Sequence, residues 1–105
     1  MAVMKNSYPQ KASVFLNIIY DIAEMRKANV TRMDHESLIM DTEMYGIKTK
    51  YLFHIVPAGE GTTVTVETEK ENDDAQRGVR LMFATLENAL SVFDFQNSAS
   101  SLAPQ

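Results

Sequence analysis

The sequence predicts an α+β domain, an antiparallel meander of three or four strands with an N-terminal helix and a long C-terminal helix packed on one face. Apolar residues recur with helical spacing near both ends of the chain, whereas they alternate between two faces in the middle. Turn residues separate the alternating segments. The 105 residues suffice for one core. We therefore expect a single domain over residues 1–96 and a disordered polar tail over 97–105.

The first helix is predicted from about Gln10 to Met25. Ser7 and Gln10 fit a capping box, and Pro9 suits a first helical turn. The main apolar face of this helix comprises Val14, Phe15, Ile18, Ile19 and Ile22. A second apolar line makes the stripe wider than one sheet contact usually needs, and it consists of Leu16, Tyr20 and Ala23. Residues 2–4 fit an optional short edge strand.

The middle of the chain predicts a hairpin around a tight turn at Tyr45-Gly46, with strands over about 38–45 and 47–56. In this register Glu43 lies opposite Lys48 and Asp41 opposite Lys50, so the charged residues share one face. The other face is apolar and pairs Met44 with Ile47, Met40 with Tyr51 and Leu38 with Phe53. A single alignment therefore sorts both faces, as a half-buried hairpin requires.

A third strand over about 62–70 follows the turn-rich segment 57–61. Three cross-strand pairs continue both faces of the sheet: Ile55–Val64, Phe53–Val66 and Lys50–Glu69. The polar segment 26–36 links the first helix to the sheet, with room for a short strand around Val30. The last helix is predicted to begin near Asp73, with Gln76 completing a capping box. Gly78 lies in its first turns, where it allows a bend or a close contact.

The expected core joins the inner face of the sheet to both helices. From the sheet it takes Leu38, Met40, Met44, Tyr51, Phe53, Ile55, Val64 and Val66. From the helices it takes Phe15, Ile18, Ile22, Met82, Phe83, Leu86 and Leu90. Methionine fills irregular space well, and five of the seven methionines fall in or near this core: Met25, Met33, Met40, Met44 and Met82.

Composition excludes several classes of function. The net charge is −4 and the ten Lys and Arg residues are scattered, so no basic patch is present for nucleic acid or an anionic membrane surface. The chain has no cysteine, which excludes disulfides, thiolate metal sites and cysteine nucleophiles. No apolar run is long enough for a membrane span or a signal peptide. We expect a cytoplasmic protein without a cofactor.

No catalytic or metal site is predicted. His54 lies on the outer face opposite Ser37, without the third orienting group and oxyanion site that nucleophilic catalysis needs. His35 stands between Asp34 and Glu36, whose side chains splay apart in an extended segment, and no second histidine follows at a metal-ligand spacing. The polar residues that alternate onto the core face are weak acids and bases: Thr42, Thr49 and Thr68. We expect a non-enzymatic protein.

The segment 51–67, with the sequence YLFHIVPAGEGTTVTVE, resembles the late hairpin of helix-grip proteins, the START and polyketide-cyclase-like (SRPBCC) family. Residues 76–93 resemble the long helix that follows it there. The resemblance covers about half of the chain. The sequence predicts fewer strands than members of this family usually have. It implies a small apolar ligand held between the sheet and the C-terminal helix. The residues expected to line that pocket are Met40, Tyr51, Phe53 and Met82, with the Tyr51 hydroxyl as a polar anchor.

The alternative is a homo-oligomeric interaction module without a small-molecule ligand. A three-stranded sheet has two edges that invite pairing with a second copy, and part of its outer face is apolar. These surfaces predict a homodimer with an interface formed by Leu16, Tyr20, Ile39, Leu52 and Val56. In the competing arrangement, residues 2–4 fold back over one of these surfaces and leave a monomer.

Overall fold

One five-stranded antiparallel sheet organises the computed structural model, which describes residues 2–44 and 47–101, with residues 44, 47 and 94–101 described by their backbone alone. The elements in chain order are β1 (Ala2–Tyr8), α1 (Ala12–Arg26), β2 (Asn29–Arg32), β3 (Ser37–Met44), β4 (Ile47–Ala58), β5 (Gly61–Thr68) and α2 (Asp73–Ser101). The strand order across the sheet is β1-β5-β4-β3-β2. The α+β class is confirmed, with five strands in place of three or four.

The predicted register of β3 with β4 is confirmed. Asp41 pairs with Lys50 and Glu43 with Lys48 on the outer face, and all three predicted apolar pairs are present on the inner face. Among the described side chains, no ion pair within 4 Å joins these opposed charges. The charge pattern therefore identifies the register without forming salt bridges. The turn residues Tyr45-Gly46 lie outside the described residues.

The pairing of β4 with β5 also follows the predicted register, through Ile55–Val64 and Phe53–Val66. The ladder ends with Leu52 opposite Glu67, because β5 stops at Thr68, so the expected Lys50–Glu69 pair falls beyond it. The connection is shorter than the predicted loop 57–61. Ala58 already pairs with Gly61, and the turn between them contains Gly59 at a φ of +62°, a conformation that glycine adopts without a steric cost.

β1 and β2 cover the edges that a three-stranded meander would leave open. β1 pairs with β5 over its whole length, from Ala2 opposite Thr68 to Tyr8 opposite Thr62. The optional strand at residues 2–4 is therefore present and longer than predicted. β2 pairs with β3 and contains Val30, as expected. The free edges of the sheet are now those of β1 and β2.

Both predicted capping boxes are wrong. Ser7 lies in β1, where its hydroxyl is 3.1 Å from that of Thr63, and α1 begins after Lys11, which makes no side-chain capping bond. At α2 the cap is Asn72, whose Oδ1 accepts a hydrogen bond of 2.8 Å from the Ala75 N–H. α2 continues to Ser101, into the segment 97–105 that the sequence predicts as a tail.

A single core fills the space between the inner face and the two helices. Apart from Met25 and Met33, every predicted core residue with a described side chain is buried, and the side chain of Met44 is outside those described. Met25 and Met33 are corrections, because they are 84% and 58% exposed. Met25 lies in the last turn of α1, and Met33 follows the edge strand β2. Within the described residues, no helix is both long and apolar enough to cross a membrane.

Candidate functional site

A cleft of about 870 Å³ opens at one end of the sheet, where the end of the β3–β4 hairpin, the α1–β2 link and the start of α2 meet. We refer to it as the end cleft. Lysines and acids line it together with the three threonines that alternate onto the inner face, Thr42, Thr49 and Thr68. The end cleft forms where short polar side chains take the positions that large apolar ones occupy farther along the sheet.

The threonine hydroxyls are not equally available to a ligand. Thr42 donates its hydroxyl hydrogen bond to the Thr49 carbonyl at 3.3 Å, and Thr68 donates to the Lys70 carbonyl at 2.9 Å. Among the described residues, the Thr49 hydroxyl makes no hydrogen bond. It therefore retains both its donor and its acceptor capacity at the wall of the end cleft.

Tyr51 follows Thr49 on the inner face and stands between the threonines and the core. A Cβ at Gly78 of α2 would overlap the Tyr51 hydroxyl oxygen, so the close contact predicted at Gly78 is with this side chain. Burial raises the pKa of Tyr51, and the charge of Arg26 opposes that rise. The tyrosine is therefore held as a neutral phenol under the first turns of α2.

Lys27 contributes to the end cleft from an unusual backbone conformation. It ends α1 at a φ of 53° and a ψ of 37°, in the left-handed region where glycine is the common residue. Its N–H donates to the Glu24 carbonyl at 3.3 Å, and the Ala28 N–H donates to the Ala23 carbonyl at 2.8 Å. The backbone hydrogen bonds at the end of α1 are thus formed. Lys27 nevertheless occupies a backbone conformation in which glycine would be less strained.

The four residues predicted to line an apolar pocket are neighbours in the packed core. Met40 and Phe53 are 0% exposed, Met82 is 1% exposed and Tyr51 is 9% exposed. None of them lines the end cleft, which lies beside this group toward the start of α2. The inward-facing threonines were the sequence signal that could have indicated the end cleft. The residues of the α1–β2 link that line it come close only through tertiary contacts, which no local pattern encodes.

The residues predicted to form a dimer interface fall on two different layers. Ile39, Leu52 and Val56 lie on the outer face of the sheet. Leu16 and Tyr20 lie on α1, which packs on the inner face; Leu16 is half-buried against the core, and Tyr20 is exposed. The second apolar line of α1 is therefore largely used inside the domain. One contact with a second copy cannot include both layers.

Ser37, His54 and Glu67 form a polar cluster on the outer face. The Ser37 Oγ is 3.1 Å from the His54 Nδ1, and the Glu67 Oε2 is 3.8 Å from the His54 Nε2. Sequence reasoning did not identify Glu67 as a member of this cluster, although its pairing with Leu52 places it diagonally beside His54. Ser37 is only 8% exposed and lies outside the end cleft. The 3.8 Å between Glu67 and His54 is longer than a hydrogen bond, so Glu67 lies near the imidazole without being hydrogen-bonded to it.

The loop around His35 is organised by Arg32. The Arg32 guanidinium donates to the carbonyls of Asp34 and His35 at 2.8 and 2.9 Å. Asp34 accepts a hydrogen bond of 2.8 Å from the Glu36 N–H, which lowers the pKa of its carboxyl. Among the described residues, no group of three or more histidine, cysteine, aspartate or glutamate side chains is arranged to hold a metal ion.

Within the part of the chain that the structure describes, the end cleft, the outer face and the polar cluster are the features that suggest a function. A comparison with protein-family models finds no match, and a comparison with curated proteins finds no significant match.

Proposed function

We propose that the protein is a non-enzymatic binding domain whose small ligand occupies the end cleft. The observation that carries the proposal is a cleft of about 870 Å³, a volume within the range of small-ligand sites, although its lining is more polar than is usual for them. The ligand would lie at the junction of the sheet and the start of α2. α2 packs along the inner face of an antiparallel sheet, which is the arrangement that the helix-grip resemblance implies.

The polar lining favours a polar ligand over the apolar one implied by the family resemblance. An apolar molecule among Met40, Phe53 and Met82 would have to displace side chains that are fully packed. A ligand in the end cleft would meet hydroxyl, ammonium and carboxylate groups without disturbing the core.

Native mass spectrometry of freshly purified protein and amide chemical-shift mapping test this proposal. We expect small polar molecules to cause saturable shifts at Thr42, Thr49 and Ala75, which line the end cleft. Saturable shifts centred on Phe53 with apolar molecules would instead support the apolar pocket. If neither group of compounds shifts any described amide saturably, the binding proposal is wrong.

The polar cluster on the outer face gives a direct check of the non-enzymatic part of the proposal. We expect the wild type to hydrolyse activated esters no faster than the Ser37→Ala and His54→Ala variants. A reproducible activity that both substitutions abolish would show that the cluster is catalytic.

Self-association through the outer face is a second candidate function. Both helices pack on the inner face, so no described element covers the outer one, where Val3 and Val56 are 52% and 39% exposed. Five strands spaced about 4.8 Å apart, with about eight residues of about 3.4 Å each, present roughly 650 Å². A standard interface buries about 800 Å² per partner. The whole outer face is somewhat smaller than this, so a dimer formed through it would belong to the weak, transient class of interfaces.

Light scattering of the wild type and of two variants tests whether a dimer forms through the outer face of the sheet or through α1. A dimer would have about twice the chain mass of 11.8 kDa, and Leu52→Lys should dissociate it. Tyr20→Glu is the matched control, because it introduces a charge on the opposite layer. Dissociation by Tyr20→Glu alone would assign the interface to α1, and a wild-type monomer at every concentration would refute self-association.

A further inference from the structure

We infer, on the basis of the proposed function, that the end cleft recognises a compact anionic group of its ligand, a carboxylate or a phosphate. The ammonium groups of Lys27 and Lys70 would supply the positive charge, and the Thr49 hydroxyl would donate a hydrogen bond. All three residues line the end cleft.

Most charges around the end cleft are offset by a nearby opposite charge. Two acids and two lysines of the lining face one another across the β3–β4 ladder: Asp41 with Lys50 and Glu43 with Lys48. Asp74 lies 3.8 Å from Arg77, one helical turn along α2. The lining as a whole contains four lysines and four acids and is neutral, and Arg77 lies outside it.

The remaining charged residues of the lining are two lysines and one acid. Lys27 and Lys70 carry two positive charges against the single negative charge of Glu69, so their sum is one positive charge. Among the described side chains, no acid lies within 4 Å of either ammonium group. Glu69 lies just beyond the end of β5 and lines the end cleft as well. Lys27 and Lys70 are therefore the two lysines of the lining that do not stand opposite an acid in the β3–β4 ladder.

The left-handed backbone of Lys27 is a second observation at the end cleft. A residue with a Cβ is strained in this conformation, and strained residues concentrate at functional sites. The helix dipole gives a cation at this position a structural role as well. However, Arg26 already supplies a positive charge in the last turn of α1. The additional lysine is best explained by what it faces, which is the end cleft.

Titration with anions and a neutral analogue, followed by amide shifts, tests the inference. The probes are inorganic phosphate, succinate and the uncharged 1,4-butanediol. Lys27→Asn removes the charge while keeping a residue that tolerates the left-handed region, and Lys27→Arg keeps the charge. Lys11→Gln is the matched control, because Lys11 is also exposed and does not line the end cleft.

We expect at least one of the two anions to bind the wild type saturably, with shifts at Thr49 and Ala75. We expect Lys27→Asn and Lys70→Gln to weaken that binding at least tenfold, and Lys27→Arg and Lys11→Gln to retain it. Equal anion affinity in the wild type and Lys27→Asn would overturn the inference. Binding of the diol alone would also overturn it while supporting the end cleft as a site, whereas binding of no probe would count against both.

Discussion

The middle and the end of the inner face follow the same alternation of side chains, but the middle is densely packed and the end is open. In the middle, Leu38 opposes Phe53 and Ile55 opposes Val64, and all four are buried in the core. At the end, the inward positions are threonines, and the end cleft remains between them and the start of α2. Alternation decides which side chains point inward, whereas their size decides whether the space is filled.

The largest expected effect comes from breaking the filled region. Phe53→Ala should lower the free energy of unfolding by about 3–5 kcal/mol, because a fully buried aromatic ring leaves a cavity. Thr49→Ala, on the same strand and the same face, should cost less than about 1 kcal/mol, because it removes few packed atoms. Urea unfolding followed by circular dichroism measures both. Similar losses for the two variants would contradict the division between a filled middle and an open end.

At the boundary between the two regions, we expect the effect of Gly78→Ala on the free energy of unfolding to change sign when Tyr51 is replaced. Gly78→Ala should destabilise the protein by about 1–2 kcal/mol, because the added methyl group overlaps the Tyr51 hydroxyl. In a Tyr51→Phe background the nearest ring carbons are 3.5 and 3.7 Å from the new Cβ. There, the helix propensity of alanine should make the same substitution stabilising by up to about 1 kcal/mol. A double-mutant cycle in urea measures the coupling, and additive effects would exclude this contact as the cause.

Relief of strain at the end cleft should increase stability. Lys27→Gly should raise the free energy of unfolding by about 0.5–1 kcal/mol, because glycine has no Cβ to clash in the left-handed region. Glu24→Gly, in the regular part of α1, should lower it by about 1 kcal/mol. Thermal unfolding of both variants is the measurement. Destabilisation by Lys27→Gly would mean that the lysine side chain contributes more to the fold than its conformation costs.

The smallest effect concerns alkaline pH. Burial raises the pKa of Tyr51, so its contribution to stability is complete below the ordinary tyrosine pKa of about 10 and is lost as pH rises through the folded-state value. Absorbance near 295 nm should show a tyrosine that ionises later than an exposed one. Tyr51→Phe should remove that late component and reduce the loss of stability at alkaline pH. An unchanged titration curve would contradict the assignment to Tyr51. Tyr8 also has a raised pKa, caused mainly by burial, and remains in this variant as a second late component.

The parts of the fold that could be predicted from sequence are those encoded by pairs of positions at fixed spacing. The registers of β3, β4 and β5 follow from alternation because only one alignment places apolar and charged residues on separate faces. The helical core faces follow from the 3.6-residue repeat for the same reason. The core residues predicted from these patterns are buried wherever their side chains are described, except Met25 and Met33. Those two lie where α1 and β2 end.

The remaining features depend on contacts between distant segments. Ser7 fits a helix cap locally, but in the fold it belongs to a strand that pairs with β5 and lies beside Thr63. The end cleft similarly combines Lys27, Thr49 and Lys70 from three connections or strands. No periodicity links these positions, so the sequence did not predict the end cleft; the apolar pocket that it predicted in the middle of the sheet stays a prediction.

The pairing of β1 with β5 has a consequence for the order in which the chain can fold. Ala2 pairs with Thr68, so β1 cannot complete its pairing until β5, the last strand of the sheet, is available. Helical and hairpin contacts close short loops and can form early, whereas this ladder must close a loop that spans most of the domain. During synthesis, residues 2–8 must remain unpaired with β5 until residue 68 has left the ribosome. We therefore expect β1 docking to be a late folding event.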